Sequence, residues 1–186
     1  MIVVSIDPSI NPKNFGVCLF DTSIHQDPLK CLLPIESPEE YRKRLRFKDI
    51  KPKEDKNGFY RAKVITFWTL AVLGNLSNYY AGLGEGVILI TEDITNKSVW
   101  AKDPVKKAGR GKSLTKTMRA NDFAIAGALL QSIEVIEISP AKFKATKIER
   151  SQKLDMILGT DREPRNEHVD DAIHRGSLWI TEQKFK

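Results

Sequence analysis

Hydrophobic positions along the chain fall into short alternating runs at the N-terminus and longer helical stripes further on. Met1 to Ile6 alternates and is rich in β-branched residues, and Phe15 to Phe20 repeats the pattern after a turn bearing Pro, Asn and Gly. Lys30 to Ile35 is a third strand-like run, so the first 35 residues predict an antiparallel meander. From Glu36 to Gly58 the chain is charged, punctuated by Pro and without clear periodicity, which predicts an excursion or flexible loop. Loops of that length are usually functional or disordered. Between Arg61 and Tyr80, Val64, Phe67, Trp68, Ala71, Val72, Asn75, Leu76 and Tyr79 recur at helical spacing, the apolar majority forming a stripe that packs on a sheet, and Gly82, Gly84 and Gly86 then break the helix. Val87 to Thr91 is almost wholly apolar, the pattern of a strand buried on both faces.

A basic, Gly-containing stretch runs from beyond Asn96 to Lys112, followed by a helical pattern over Leu114 to Leu130 and an alternating strand over Ile133 to Ile138. Ser139 and Pro140 form a helix start, Ser as N-cap and Pro at the first helical position. A further helix is predicted from about Arg150 to Leu158, stopped by Gly159, and a last one from a cap at Asn166 to about Thr181. Three hairpin strands, helix, strand, helix, strand and C-terminal helices describe an α/β protein with a mixed sheet covered by helices. At 186 residues the chain is read as a single domain over 1–186, with the basic excursion at about 36–60.

Composition narrows the class. Hydrophobic residues make up 41% and charged residues 29%, as in a soluble globular protein. The longest apolar runs are strand-sized, and the N-terminus lacks the pattern of a signal peptide, so the expected setting is cytoplasmic, with no membrane partner. Cys18 and Cys31 lie in separate strand-like runs without metal-site spacing and are read as buried free thiols. The net charge of +6 conceals an asymmetry: residues 42–63 hold ten Lys or Arg against three acids, and residues 97–119 hold eight against one. Two basic stretches on an otherwise acidic chain are the electrostatic footprint of a polyanion-binding protein, the alternative being solvated loops.

Chemistry gathers at the ends of elements. Asp7 closes the first apolar strand ahead of Pro8 and Ser9, on the strand face shared with Val3 and Ser5. Glu92, followed by Asp93, closes the strand that begins at Val87, and ligand sites in open α/β sheets lie beyond the carboxyl ends of strands. His168 and Asp171, three apart on the last predicted helix, share a face and can reach one ion, with Asp170 turned away. Taken singly, Asp7 is also a turn-forming residue before Pro, and the acids of Glu167 to Asp171 also suit a helix N-terminus.

In this order and spacing the pieces resemble the RuvC family of Holliday junction resolvases, within the ribonuclease H-like superfamily. Asn14-Phe15-Gly16-Val17 is similar to the start of that family's second strand, and Ile138 to Lys144 to its strand-to-helix step. The resemblance covers most of the chain except roughly residues 36–60. It departs at Ser9, where the family commonly has Gly, at Asp93, where it has Gln, and after Glu92, where the aromatic residue of some members is missing; Trp100 is a candidate substitute, the alternative being a packing role. The resemblance implies a ribonuclease H-like sheet of three antiparallel strands followed by two parallel ones. It also implies two divalent ions, Mg2+ or Mn2+, held by Asp7, Glu92, His168 and Asp171, which serve as both catalytic and metal-binding residues. The substrate implied is a four-way DNA junction, nicked in pairs by a homodimer, whose candidate interfaces are the apolar faces of helices 61–80 and 114–130. Because imidazole suits softer ions than magnesium, His168 predicts that manganese supports activity at least as well.

The basic residues complete the picture. Lys106, Lys107, Arg110, Lys112, Lys116 and Arg119 follow the Glu92 strand and are candidates for leading phosphates to the site, with Lys142, Lys144 and Lys147 adding to that surface. Gly109-Arg110-Gly111-Lys112-Ser113 fails the phosphate-binding-loop spacing because position 106 is Lys. Three other readings stand beside the resolvase: a ribonuclease H-like nuclease for other branched or hybrid nucleic acids, a non-catalytic junction-binding module, and an actin-like phosphotransferase. The last is disfavoured by single-domain length and the lack of Gly-rich phosphate signals.

Overall fold

The computed structural model of the chain describes residues 1–49, 54–55, 58–93, 104–139, 143, 152 and 167–183, with backbone only at 104–114 and 116. Five strands form one sheet in the order β3-β2-β1-β4-β5. β1 (Ile2–Asp7) pairs antiparallel with β2 (Gly16–Asp21), and β2 pairs antiparallel with the two-residue β3 (Leu32–Leu33). β4 (Val87–Glu92) and β5 (Glu134–Ile138) run parallel to β1, completing the mixed sheet that the sequence predicts.

Alternation along β1 divides the core into two layers. Ile2, Val4 and Ile6 face one side with Leu19, Val17, Val87 and Leu89, covered by helices from the middle of the chain. Val3, Cys18, Phe20 and Ile90 face the other side, covered by the C-terminal helix α5 (Glu167–Gln183) through Ala172, Ile173, Leu178, Trp179 and Ile180. Both cysteines are buried and free, as read from the sequence, and burial pushes the Cys18 thiol far above its ordinary value.

The first layer contains α1 (Pro38–Arg44), α2 (Phe59–Trp68), α3 (Gly74–Gly82) and α4 (Pro104–Leu129), with a π-helical turn at Thr69–Leu73 joining α2 to α3. Ala120, Ala124 and Ala128 recur every four residues on α4 and are fully buried, so the helix backbone comes close to its neighbours. At Gly127 a Cβ would stand 2.7 Å from Thr69 Cγ2, which leaves room for no side chain where α4 meets the π-turn. Trp68 anchors α2 against Phe15, with ring centroids 5.6 Å apart, and its indole N–H donates to the Glu36 carbonyl at 2.6 Å.

Several expectations are corrected. Lys30 to Ile35 is not a six-residue strand: Pro28–Lys30 is a 3-10 turn, and only Leu32–Leu33 joins the sheet. Within Glu36 to Gly58, read as irregular, α1 forms because Ser37 and Glu40 make a reciprocal capping box with Pro38 in the first turn. The basic stretch before Lys112 is helical from Pro104 onward, so α4 begins ten residues ahead of the expected Leu114 despite Gly109 and Gly111. Predicted helices 61–80 and 114–130 bury Ala62, Ile65, Trp68, Leu73, Ala120, Ala124 and Ala128 in the shared core, while Phe67, Tyr79, Leu129 and Leu130 stay exposed on the same helices. Within the expected helix over Arg150 to Leu158, Gln152 is described and is helical; the rest of that helix, the cap at Asn166 and Trp100 lie outside the described residues. After Ser139, Phe143 is helical and its N–H donates to the Ser139 carbonyl at 3.2 Å, as expected for a helix that starts there.

Candidate active site

The register pairs Ser5 of β1 with Ile90 of β4, so Asp7 and Glu92, each two residues on, end adjacent parallel strands at the same edge of the sheet. Both lie on the face covered by α5. Asp7 and Glu92 are buried, at 9% and 6% exposure, an arrangement that needs compensating charge or hydrogen bonds.

Compensation comes from α5. Its first turn crosses β2 at Gly16, where an added Cβ would collide with the backbone carbonyl of His168. Further along, a Cβ at Gly176 would press on the ring of Phe20 and on Ser5. With both crossings tight, α5 is held low over the strand ends. His168 Nδ1 reaches Asp7 Oδ2 at 2.5 Å. Arg175 donates from Nη1 to the Ile6 carbonyl at 2.5 Å and from Nη2 to Asp7 Oδ1 at 3.0 Å, while the same Nη2 lies 3.8 Å from Glu92 Oε2. The guanidinium is 1% exposed and sits 4.9 Å above the Phe143 ring. Each oxygen of Asp7 thus faces a different partner: imidazole on one side, guanidinium on the other.

These contacts set the electrostatics. Burial alone would raise the Asp7 carboxyl, but the hydrogen bonds and charges of His168 and Arg175 outweigh it and hold the group below the usual carboxylate range. The Asp7 hydrogen bond raises His168 above its ordinary value against the opposing effect of burial, with the charges of Asp7 and Asp171 adding to it.

Glu92 is steadied from the opposite layer. Thr91 donates its hydroxyl to Asn121 Oδ1 of α4 at 2.5 Å, and Asn121 Nδ2 donates to the Glu92 carbonyl at 3.4 Å. Asn121 is itself buried, so the end of β4 is tied to α4 just where the carboxylate emerges.

Of the expected site residues, Asp7 and His168 meet directly, Glu92 joins them through Arg175, and Asp171, half-buried one turn along α5 from His168, lies near enough for its charge to bear on the imidazole. Among the described residues no three His, Cys, Asp or Glu side chains are set to hold a metal ion. The donor chemistry nevertheless suits a divalent cation on the His168 side of Asp7, where carboxylate oxygen and imidazole nitrogen converge. On the other side of Asp7 the guanidinium already supplies the positive charge. Of the basic residues, Arg119 packs over the Phe59 ring at 5.0 Å. The side chains of Lys106, Lys107, Arg110, Lys112 and Lys116, and residues Lys142, Lys144 and Lys147, lie outside the described set.

Sequence reading missed Arg175, Asn121 and the demand for Gly at 16 and 176. Arg175 carried a signal, since His168, Asp171 and Arg175 follow i, i+3, i+7 and share one helical face. Asn121 had no signal beyond being a polar residue among the small ones of a helix.

This arrangement of sheet, helices and strand-end carboxylates defines a RuvC-like α/β fold, and solved structures share it. RuvC of Thermus thermophilus, solved in complex with a Holliday junction substrate, superimposes at a TM-score of 0.61 with 19% identity, covering 100% of this chain and 97% of that one. A second structure of Thermus thermophilus RuvC gives a TM-score of 0.58 and 18% identity over the same shares. No family model matches the sequence, and no curated protein sequence matches it.

Proposed function

We propose that this protein is a divalent-cation-dependent endodeoxyribonuclease that resolves four-way DNA junctions by paired nicking. The observation that carries the reading is the convergence of Asp7, Glu92 and the α5 pair His168 and Asp171 at one sheet edge, on a fold shared with a protein solved on such a junction. Buried carboxylates at strand ends repel a phosphodiester unless cations intervene. A divalent cation bound there would polarise the phosphate and provide an activated water. Asp7, with His168 and Asp171, would hold that cation, while Glu92, its strand end tied to Asn121, would have its charge balanced by Arg175 at the same edge. His168 must give up its contact with Asp7 to ligate, and its imidazole favours manganese over magnesium.

Substrate binding is assigned to the basic residues. Lys106, Lys107, Arg110, Lys112 and Lys116 ride on the half of α4 that precedes Asn121, a helical stretch roughly 25 Å long from Pro104. Because Asn121 is level with the end of β4, that half starts from the active-site side of the molecule. Lys142, Lys144 and Lys147 follow β5, whose end is paired with Glu92. Resolution of a junction further calls for a homodimer, one site for each of two equivalent strands.

One observation favours a second reading, a junction-binding module without nuclease activity: the Arg175 guanidinium already balances the two strand-end carboxylates. Asp7→Asn separates the two. As a nuclease, the variant binds a synthetic four-way junction as tightly as the parent and loses cleavage in manganese by at least about 100-fold, on the scale of removing a metal-centred interaction. A parent protein that binds the junction and cuts nothing in either metal leaves only the binding module.

A further inference from the structure

Asp7 presents one oxygen to His168 and the other to Arg175. In a centre of two divalent ions about 3.5–4 Å apart, the shared carboxylate offers one oxygen to each ion. Here the second of those positions is filled by a nitrogen of this chain. We propose that Arg175 takes the place of one metal ion, so that each site binds a single divalent cation on the His168 side of Asp7. The inference rests on the nuclease reading of the same site.

Four features make the guanidinium a permanent occupant. It is a delocalised cation that presents five N–H donors in a rigid planar fork. Its position is fixed from three directions: Nη1 on the Ile6 carbonyl, Nη2 on Asp7 Oδ1 and near Glu92 Oε2, and the Phe143 face at 4.9 Å. The next residue, Gly176, packs so closely on Phe20 and Ser5 that an added Cβ would clash, which leaves no slack between helix and sheet around the side chain. Finally, Arg175 is 1% exposed, and swinging it elsewhere in the interior would strand a buried charge. A divalent ion bridging Asp7 Oδ1 and Glu92 Oε2 would have to share that space with a like charge in a poorly screened interior.

The arrangement gives the two strand-end carboxylates different work. Asp7 turns Oδ2 toward His168, the side on which a divalent cation would be held, and gives Oδ1 to the fixed guanidinium, whereas Glu92 faces the guanidinium through Oε2. Arg175 is therefore a positioning residue that fixes the number and place of the metal ions.

Counting bound ions tests this directly. Crystals of the full chain soaked in manganese chloride, with diffraction data at the manganese absorption edge, should give one anomalous peak per chain, beside His168 and Asp7, with the guanidinium of Arg175 still on Asp7. Arg175→Lys keeps a cation and should keep one peak, whereas Arg175→Met removes it and should admit a second peak between Asp7 and Glu92. The shift from one ion to two is the effect read. Two peaks in the parent protein would overturn the substitution while leaving the metal centre intact. No peak at the site at saturating manganese would overturn both the inference and the metal-dependent reading beneath it. Should Arg175→Met fail to fold, the count in the parent and in Arg175→Lys still decides.

Discussion

At the scale of single residues, the site depends on how closely α5 approaches the strand ends. Gly16 has no side chain to spare, because the His168 carbonyl stands where a Cβ would be. Gly16→Ala should push the first turn of α5 off the sheet, lengthen the contact of His168 with Asp7, and lower stability by about 1–3 kcal/mol, the usual cost of forcing extra volume into a packed region. Thermal denaturation and junction cleavage measured together check this, and loss of cleavage larger than the loss of folded protein is the expected pattern. On the proposed reading, His168 sets metal preference. His168→Asp replaces an imidazole by a carboxylate, so the ratio of manganese-supported to magnesium-supported cleavage should fall by about ten-fold or more. An unchanged ratio would remove His168 from the ligand set. Asp7, Glu92, His168 and Asp171 were legible in the sequence because acids at the ends of apolar strands and a pair at helical spacing are unusual patterns. Arg175 was missed although it shares the helical face of His168 and Asp171, because a cation in a helix normally signals an exposed edge, whereas here it is buried by its ion pairs with residues more than 80 positions away.

At the scale of elements, strands β1, β2, β4 and β5 were readable because alternation and apolar runs follow directly from which face is buried. α1 was not, since seven largely charged residues have no periodicity to detect, and its formation rests on the Ser37 and Glu40 cap. The start of α4 was obscured by Gly109 and Gly111, whose low helix propensity reads as a loop. The π-turn at Thr69–Leu73 has no sequence signature; it coincides with the close approach of Gly127 to Thr69. The start of α2 carries a titratable device. Asp55 accepts the Tyr60 and Arg61 backbone N–H groups at 3.3 and 3.1 Å and the Arg61 Nε at 3.0 Å, and both side chains are 8% exposed. Burial raises the Asp55 carboxyl, but these donors more than offset it and leave it below its ordinary value. A carboxyl depressed in the fold contributes stability that is fully present above its unfolded value near pH 4 and is lost as pH falls through the lower folded value. Asp55→Asn should therefore cost about 3 kcal/mol at neutral pH, the scale of breaking a buried ion pair, and should flatten the fall in stability below pH 4. Urea denaturation at pH 7 and pH 3 measures both effects.

For the whole molecule, two opposed layers serve one edge of the sheet. α5 brings His168, Asp171 and Arg175 to the strand ends from one side, while α4 fastens β4 through Asn121 from the other and begins in the basic stretch. On the proposed reading, attraction for a polyanion is separated from the chemistry, and the two can be altered independently. Neutralising Lys112 and Lys116 together should weaken junction binding and reduce the slope of log affinity against log salt by roughly 1–2, about one unit for each phosphate no longer neutralised, with the cleavage rate of bound junction unchanged. Titration of binding at several salt concentrations reads this, and an unaltered slope would return both residues to the solvated surface. The central claim, that the sheet edge bearing Asp7 and Glu92 cuts four-way junctions in pairs, is tested most directly by mapping nicks on a strand-labelled synthetic junction in manganese, beside linear duplex, flap and RNA–DNA hybrid. Symmetric nicks on two opposed strands, leaving 5′-phosphate ends and absent with Asp7→Asn, are expected; cutting confined to the other substrates, or nicks that persist in the variant, would contradict the resolvase reading.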